Sequence, residues 1–97
     1  MTMDRVNAYL DSHRGDFEEQ LKALIRIPSI SAQPDHDPDT RRAAAFIRDD
    51  LAAMGLKTEM IETKKHPIVY AESLGAPGKP TILIYGHYDV QDRKSVV

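Results

Sequence analysis

Apolar residues along the first quarter of the chain fall on one helical stripe. In MDRVNAYLDSHRGDFEEQLKALIRIPS, Val6, Leu10, Phe17, Leu21 and Leu24 are separated by four, seven, four and three residues. Those steps keep one face of a helix apolar. Gly15 and Asp16 fall inside the pattern: either one helix runs through them, or it breaks in two there with Asp16 capping the second. Pro28 disfavours helical backbone at Ile27, so the helix should end there.

A loop, SISAQPDHDPD, follows. Asp37 as N-cap and Pro38 at the first helical position predict a helix running to about Met54. Its buried stripe should be Ala43, Ala44, Ile47, Leu51 and Met54, with Gly55 as the stop. The period then changes. LKTEMIET (56–63), PIVYAESL (67–74) and TILIYGHY (81–88) predict three strands, with GAPGKP (75–80) as a Gly/Pro turn. Ile82, Leu83, Ile84 and Tyr85 are apolar on both faces, as in a strand covered on both sides in the middle of a sheet.

Helix and strand together place the chain in the α/β class: two helices, then three strands, the most buried strand last. A central strand needs a neighbour on each side and cover on both faces. The sequence offers few elements to supply these. We therefore expect residues 1–91 to be the incomplete N-terminal portion of a larger α/β domain with a mixed sheet between helices.

Composition narrows the function classes. The chain has 97 residues, 41% hydrophobic and 29% charged, with a net charge of −2. That charge gives no electrostatic reason to expect nucleic acid or an anionic membrane as partner. The absence of cysteine excludes a disulfide framework and a thiolate metal site, and it fits a cytoplasmic protein. The first residues, MTMDRVNAYL, are charged and lack the apolar core of a signal peptide. No apolar stretch approaches the ~20 residues that span a bilayer.

The candidate chemistry is His87 and Asp89, two residues apart at the carboxyl end of the apolar strand. Residues i and i+2 of a strand share a face, and α/β sheets bind ligands beyond the carboxyl ends of their strands. Gly86 permits close backbone approach. The arrangement suits a metal site in which His87 coordinates and Asp89 fixes its ring. It equally suits a histidine hydrogen-bonded at a strand end. His36, in DHDPD, reads as part of a solvated helix start, where acidic residues favour the helix dipole. His66 reads as a loop residue and His13 as solvent-facing. Ser29, Ser31 and Ser73 carry no nucleophile context.

GHYDVQ (86–91) after TILIY resembles the first metal-binding segment of the zinc-dependent exopeptidase and amidohydrolase family. That family includes aminoacylase, acetylornithine deacetylase, succinyl-diaminopimelate desuccinylase, glutamate carboxypeptidase and the carnosinase-type dipeptidases. LKALIRIPSIS (21–31) is similar to its first helix and turn, RRAAAFIRDDLAAMGL (41–56) to its second helix, and HPIVYAE (66–72) to the strand before the metal strand. The tyrosine of HYDVQ leans toward the dipeptidases.

The resemblance implies a zinc-peptidase catalytic domain. His87 would be a metal ligand in a two-zinc site, with cobalt or manganese as possible substitutes, and Asp89 a catalytic residue orienting His87. It implies hydrolysis of a dipeptide-type amide by water activated at two zinc ions. The alternatives are removal of an N-acyl group from amino acids, or a small binding domain without catalysis. The substrate would be a small peptide or an N-acyl amino acid. A lid domain, which would carry homodimerisation, and the remaining ligands and general base have no position in this chain. A catalytic zinc commonly takes three protein ligands. One is offered here, so these residues alone are expected neither to bind zinc tightly nor to hydrolyse peptides. Finally, Asp92 stands where the family usually has proline, and DRKSVV (92–97) matches one frame of a common sequencing adapter. We expect that tail to be non-native.

Overall fold

The computed structural model describes residues 3–91. The tail read as adapter sequence, 92–97, lies outside the described residues. The described chain folds as α1 (Met3–Ser12), α2 (Arg14–Ile25), a 3₁₀ turn at Pro34–His36, α3 (Asp37–Ala53), β1 (Lys57–Ile61) and β2 (Ile68–Glu72).

The first apolar stripe forms two helices, but the break falls at His13 rather than at Gly15 and Asp16. His13 leaves helical geometry (φ −111°, ψ 12°) and becomes the N-cap of α2. Its ring stacks on Tyr9, with centroids 4.0 Å apart, and its Nδ1 lies 2.9 Å from the Tyr9 carbonyl. The His13 amide and the Ser12 hydroxyl donate to that same carbonyl. The Tyr9 carbonyl thus keeps its ordinary helical bond from His13 N–H and in addition gathers the side chains beside the break. Asp16 does not cap; it sits in the first turn of α2, where its charge suits the helix dipole. Neither helix buries a residue. Leu10, Phe17 and Leu21 of the stripe are exposed.

α3 begins and ends as the sequence predicts, with one shift: His36 rather than Asp37 is the N-cap, and Pro38 lies in the first turn. The helix stops in a Schellman arrangement. Leu56 N–H donates to Leu51 O at 3.2 Å and Gly55 N–H to Ala52 O at 3.0 Å. Gly55 has φ +92°, a left-handed backbone that a side chain disfavours. A Cβ there would meet no atom within 4 Å, so its cost is conformational alone. Gly55→Ala is expected to destabilise the fold by about 1 kcal/mol, read as a lower midpoint in urea with an unchanged slope. An unchanged midpoint would refute this.

β1 and β2 pair antiparallel, with Thr58 opposite Ala71 and Met60 opposite Val69. These four side chains are half-buried, alternating with exposed Lys57, Glu59 and Ile61 on β1 and with Ile68 and Tyr70 on β2. α3 packs across both strands. Its small residues Thr40, Ala43 and Ala44 are fully buried, while Ile47 and Leu51 are partly covered and Met54 is exposed.

The third predicted strand does not form. Ile82, Leu83, Ile84 and Tyr85 form no regular element, are 82–91% exposed and pair with nothing among the described residues. A strand exists only through its ladder, and no described segment supplies one. The sheet among the described residues is therefore two-stranded and antiparallel. The chain is tied down again over residues 88–90, where Val90 forms a parallel bridge to Ile30.

Candidate metal-binding site

The turn after α2 provides the platform for the candidate site. Pro28 ends the helical path, and the backbone tightens through Ser29 N–H to Ile27 O (2.7 Å) and Ile30 N–H to Pro28 O (2.8 Å). Ser29 is fully buried. Its carbonyl accepts the Val90 N–H at 2.9 Å, and its hydroxyl donates to the Tyr88 carbonyl at 3.3 Å. Residues 29–31 thus lie alongside residues 88–90, bringing together two segments almost sixty positions apart.

His87 and Asp89 do meet. His87 Nδ1 lies 2.8 Å from Asp89 Oδ1. The Asp89 carboxyl is held below the usual carboxylate range, chiefly by the Ser31 hydroxyl and then by His87. It is therefore ionised at neutral pH and can only accept. The bond between them therefore places a proton on Nδ1, and in the neutral ring that tautomer leaves the lone pair on Nε2. The His87 side chain is 78% exposed and the Asp89 side chain 36% exposed. The pair is built as the sequence places it, two residues apart on one face.

Three neighbours escaped the reading of the sequence. Ser31 Oγ donates to Asp89 Oδ2 at 2.5 Å. His66, read as a loop residue, has a largely covered side chain whose Nε2 lies 3.0 Å from the Ser31 carbonyl. Its Nε2 is also 4.0 Å from Asp37 Oδ1, a buried oxygen with no hydrogen-bond partner among the described residues. The Tyr88 hydroxyl donates to the Pro67 carbonyl at 2.6 Å. Burial pushes the Tyr88 phenol up, and the nearby Asp89 charge adds to this. Only the resemblance of the IPSIS and HPIVYAE segments could have pointed to these residues, because no local pattern relates Ser31 or His66 to Asp89. His36 stays apart from the pair, its Nδ1 2.9 Å from Asp39 Oδ2 at the start of α3.

A cleft of roughly 710 Å³ runs beside the pair, lined by Ser31, Thr40, Leu51, His66, Pro67 and His87 among others. The donor set fits one position of a metal centre: an imidazole nitrogen open to solvent, on a ring whose other nitrogen is bonded to a carboxylate. Among the described residues no group of three or more His, Cys, Asp or Glu side chains is placed to hold a metal ion. Asp89 spends both oxygens on His87 and Ser31.

No family model matches the sequence, and no solved structure matches it. Curated proteins do. The Cys-Gly metallodipeptidase dug1 of Schizosaccharomyces pombe is 30% identical over 101 residues, covering 94% of this chain and 21% of that protein. The Beta-Ala-His dipeptidase of Rattus norvegicus is 30% identical over 105 residues, covering 93% of this chain and 21% of that protein. That of Mus musculus is 32% identical over 104 residues, covering 92% and 21%. The chain therefore spans about a fifth of the length of the curated relatives it matches.

Proposed function

As a relative of the metallodipeptidases, in the dipeptidase branch of the metal-dependent exopeptidase family, the chain carries residues for which we propose a role in the metal-dependent hydrolysis of small peptides by the whole protein. The observation that carries this reading is the His87–Asp89 pair, with Nδ1 bonded and Nε2 free. His87 would hold a metal through Nε2, and Asp89 would fix the ring and raise its basicity as a ligand. Zinc is the ion we propose, in a two-metal centre completed by residues elsewhere in the protein. When bound, the metal would supply Lewis acidity, lowering the pKa of its water to roughly 7 and polarising the scissile carbonyl.

What the chain itself contributes is geometry. Asp89 keeps the proton of His87 on Nδ1, so that the ring offers a lone pair and not an N–H on its solvent side. The backbone bond from Val90 N–H to the Ser29 carbonyl fixes where the segment carrying that ring stands. The cleft beside it supplies an apolar wall from Leu51, Pro67, Ile68 and Val69.

A peptide substrate fits the relatives' names better than the alternative of N-acyl amino acids. We further propose a cytoplasmic protein that pairs through a lid domain. No helix among the described residues is long and apolar enough to cross a membrane.

The test is the intact protein, stripped of metal and reloaded with zinc, assayed on Cys-Gly, on β-alanyl-histidine and on N-acetyl amino acids. Zinc-dependent cleavage of a dipeptide, with the N-acetyl amino acids left intact, is expected. Hydrolysis of only the N-acetyl compounds would replace this reading with the deacylase alternative, and no metal-dependent hydrolysis at all would overturn it.

A further inference from the structure

We infer that Ser31 is a positioning residue for His87, acting through the Asp89 carboxylate. The inference rests on the reading of His87 as a metal ligand. His87 is 78% exposed and among the described residues makes one side-chain hydrogen bond, to Asp89 Oδ1. No packing fixes so exposed a ring, so its aim depends on whatever holds its single partner. A carboxylate bonded through one oxygen turns readily about its last torsion, which is broad for an sp³–sp² bond. Asp89 is bonded through both: Oδ1 to His87 at 2.8 Å and Oδ2 to the Ser31 hydroxyl at 2.5 Å. The second bond fixes the carboxylate plane, and the plane fixes the ring.

Ser31 is itself held from two directions. Its carbonyl accepts from His66 Nε2 at 3.0 Å, and His66 is 19% exposed. Two residues earlier, the Ser29 carbonyl takes the Val90 N–H at 2.9 Å, and the buried Ser29 hydroxyl reaches the Tyr88 carbonyl. The two serines therefore differ in role. Ser29 joins backbone to backbone, whereas Ser31 alone touches the carboxylate.

The test reads the ring tautomer of His87 by nitrogen NMR in the metal-free intact protein, at mildly alkaline pH where a free imidazole is neutral. The His87 signals are identified by their loss in His87→Gln. The wild type is expected to carry its proton mainly on Nδ1. Ser31→Ala is expected to lower the ratio of Nδ1–H to Nε2–H by roughly three- to tenfold, the worth of one hydrogen bond. Ser31→Thr, which keeps the hydroxyl, should hold the wild-type ratio. Ser29→Ala should hold it too, because it removes a neighbouring hydroxyl that does not touch Asp89. If Ser31→Ala does not fold, Ser31→Cys keeps the shape with a weaker donor and should lower the ratio in the same direction. A wild-type ratio in Ser31→Ala or Ser31→Cys overturns the inference, and so does an equal fall in Ser29→Ala. Zinc is then added to the wild type. An unmoved His87 Nε2 signal would overturn the ligand reading while the metal-free ratios still decide Ser31.

Discussion

Replacing His87 with alanine in the intact protein is expected to lower both zinc affinity and dipeptide turnover by more than about a hundredfold. Loss of an outer partner of a metal ligand typically costs about 10- to 100-fold, and loss of the ligand itself should exceed it. The geometry gives no substitute. Asp89, the other metal-competent group beside His87, has both oxygens engaged, and no other set of ligating side chains converges among the described residues. Asp89→Asn should fall within the 10- to 100-fold range, since the amide keeps the shape but loses the charge that holds the proton on Nδ1. Chelator competition reads the affinity, and initial rates at saturating zinc read the turnover. Near-wild-type values for His87→Ala in both measurements would remove His87 from the metal centre.

The second large effect concerns the segment that fails to become a strand. Ile82, Leu83, Ile84 and Tyr85 are consecutive, uncharged and 82–91% exposed. A flat apolar run with unpaired backbone groups is a template for pairing with another chain. The 97-residue polypeptide is therefore expected to self-associate with rising concentration. Charge on alternate positions opposes strand pairing most directly, so Ile82→Lys combined with Ile84→Lys should restore a monomer. Sedimentation velocity over a hundredfold concentration range checks both statements. A wild-type chain that stays monomeric throughout would show that the segment is covered in solution.

Much of the local structure was legible in the chain. The steps of α3, its Asp37–Pro38 start and its Gly55 stop all depend on neighbours within a turn or two. So do the two short strands, with their alternating exposure. These features are written in local periodicity and in backbone restrictions that need no distant partner. The helix break falls a few residues from the glycine, the usual breaker, at His13, whose ring stacks on Tyr9 and lies with the Ser12 hydroxyl against a Tyr9 carbonyl that already takes the His13 N–H. Such side-chain contacts leave no periodic trace.

His87 and Asp89 were picked out by their two-residue spacing at the end of an apolar run together with the resemblance of GHYDVQ, since the spacing alone is a weak pattern. What surrounds them was not. Ser31 lies 58 positions from Asp89 and His66 lies 35 from Ser31, and nothing in the composition of either segment names the other.

The sequence by itself determined the helices, the two paired strands and the adjacency of imidazole and carboxylate, since each is settled by short-range sterics and hydrogen bonding. Tertiary structure alone decided which nitrogen of His87 faces solvent, which serine holds Asp89, and that Ile82–Tyr85 lies uncovered. Those outcomes turn on whether a distant segment arrives to make a bond. For the pair it does, in the turn after α2; for the apolar run, none of the described residues does.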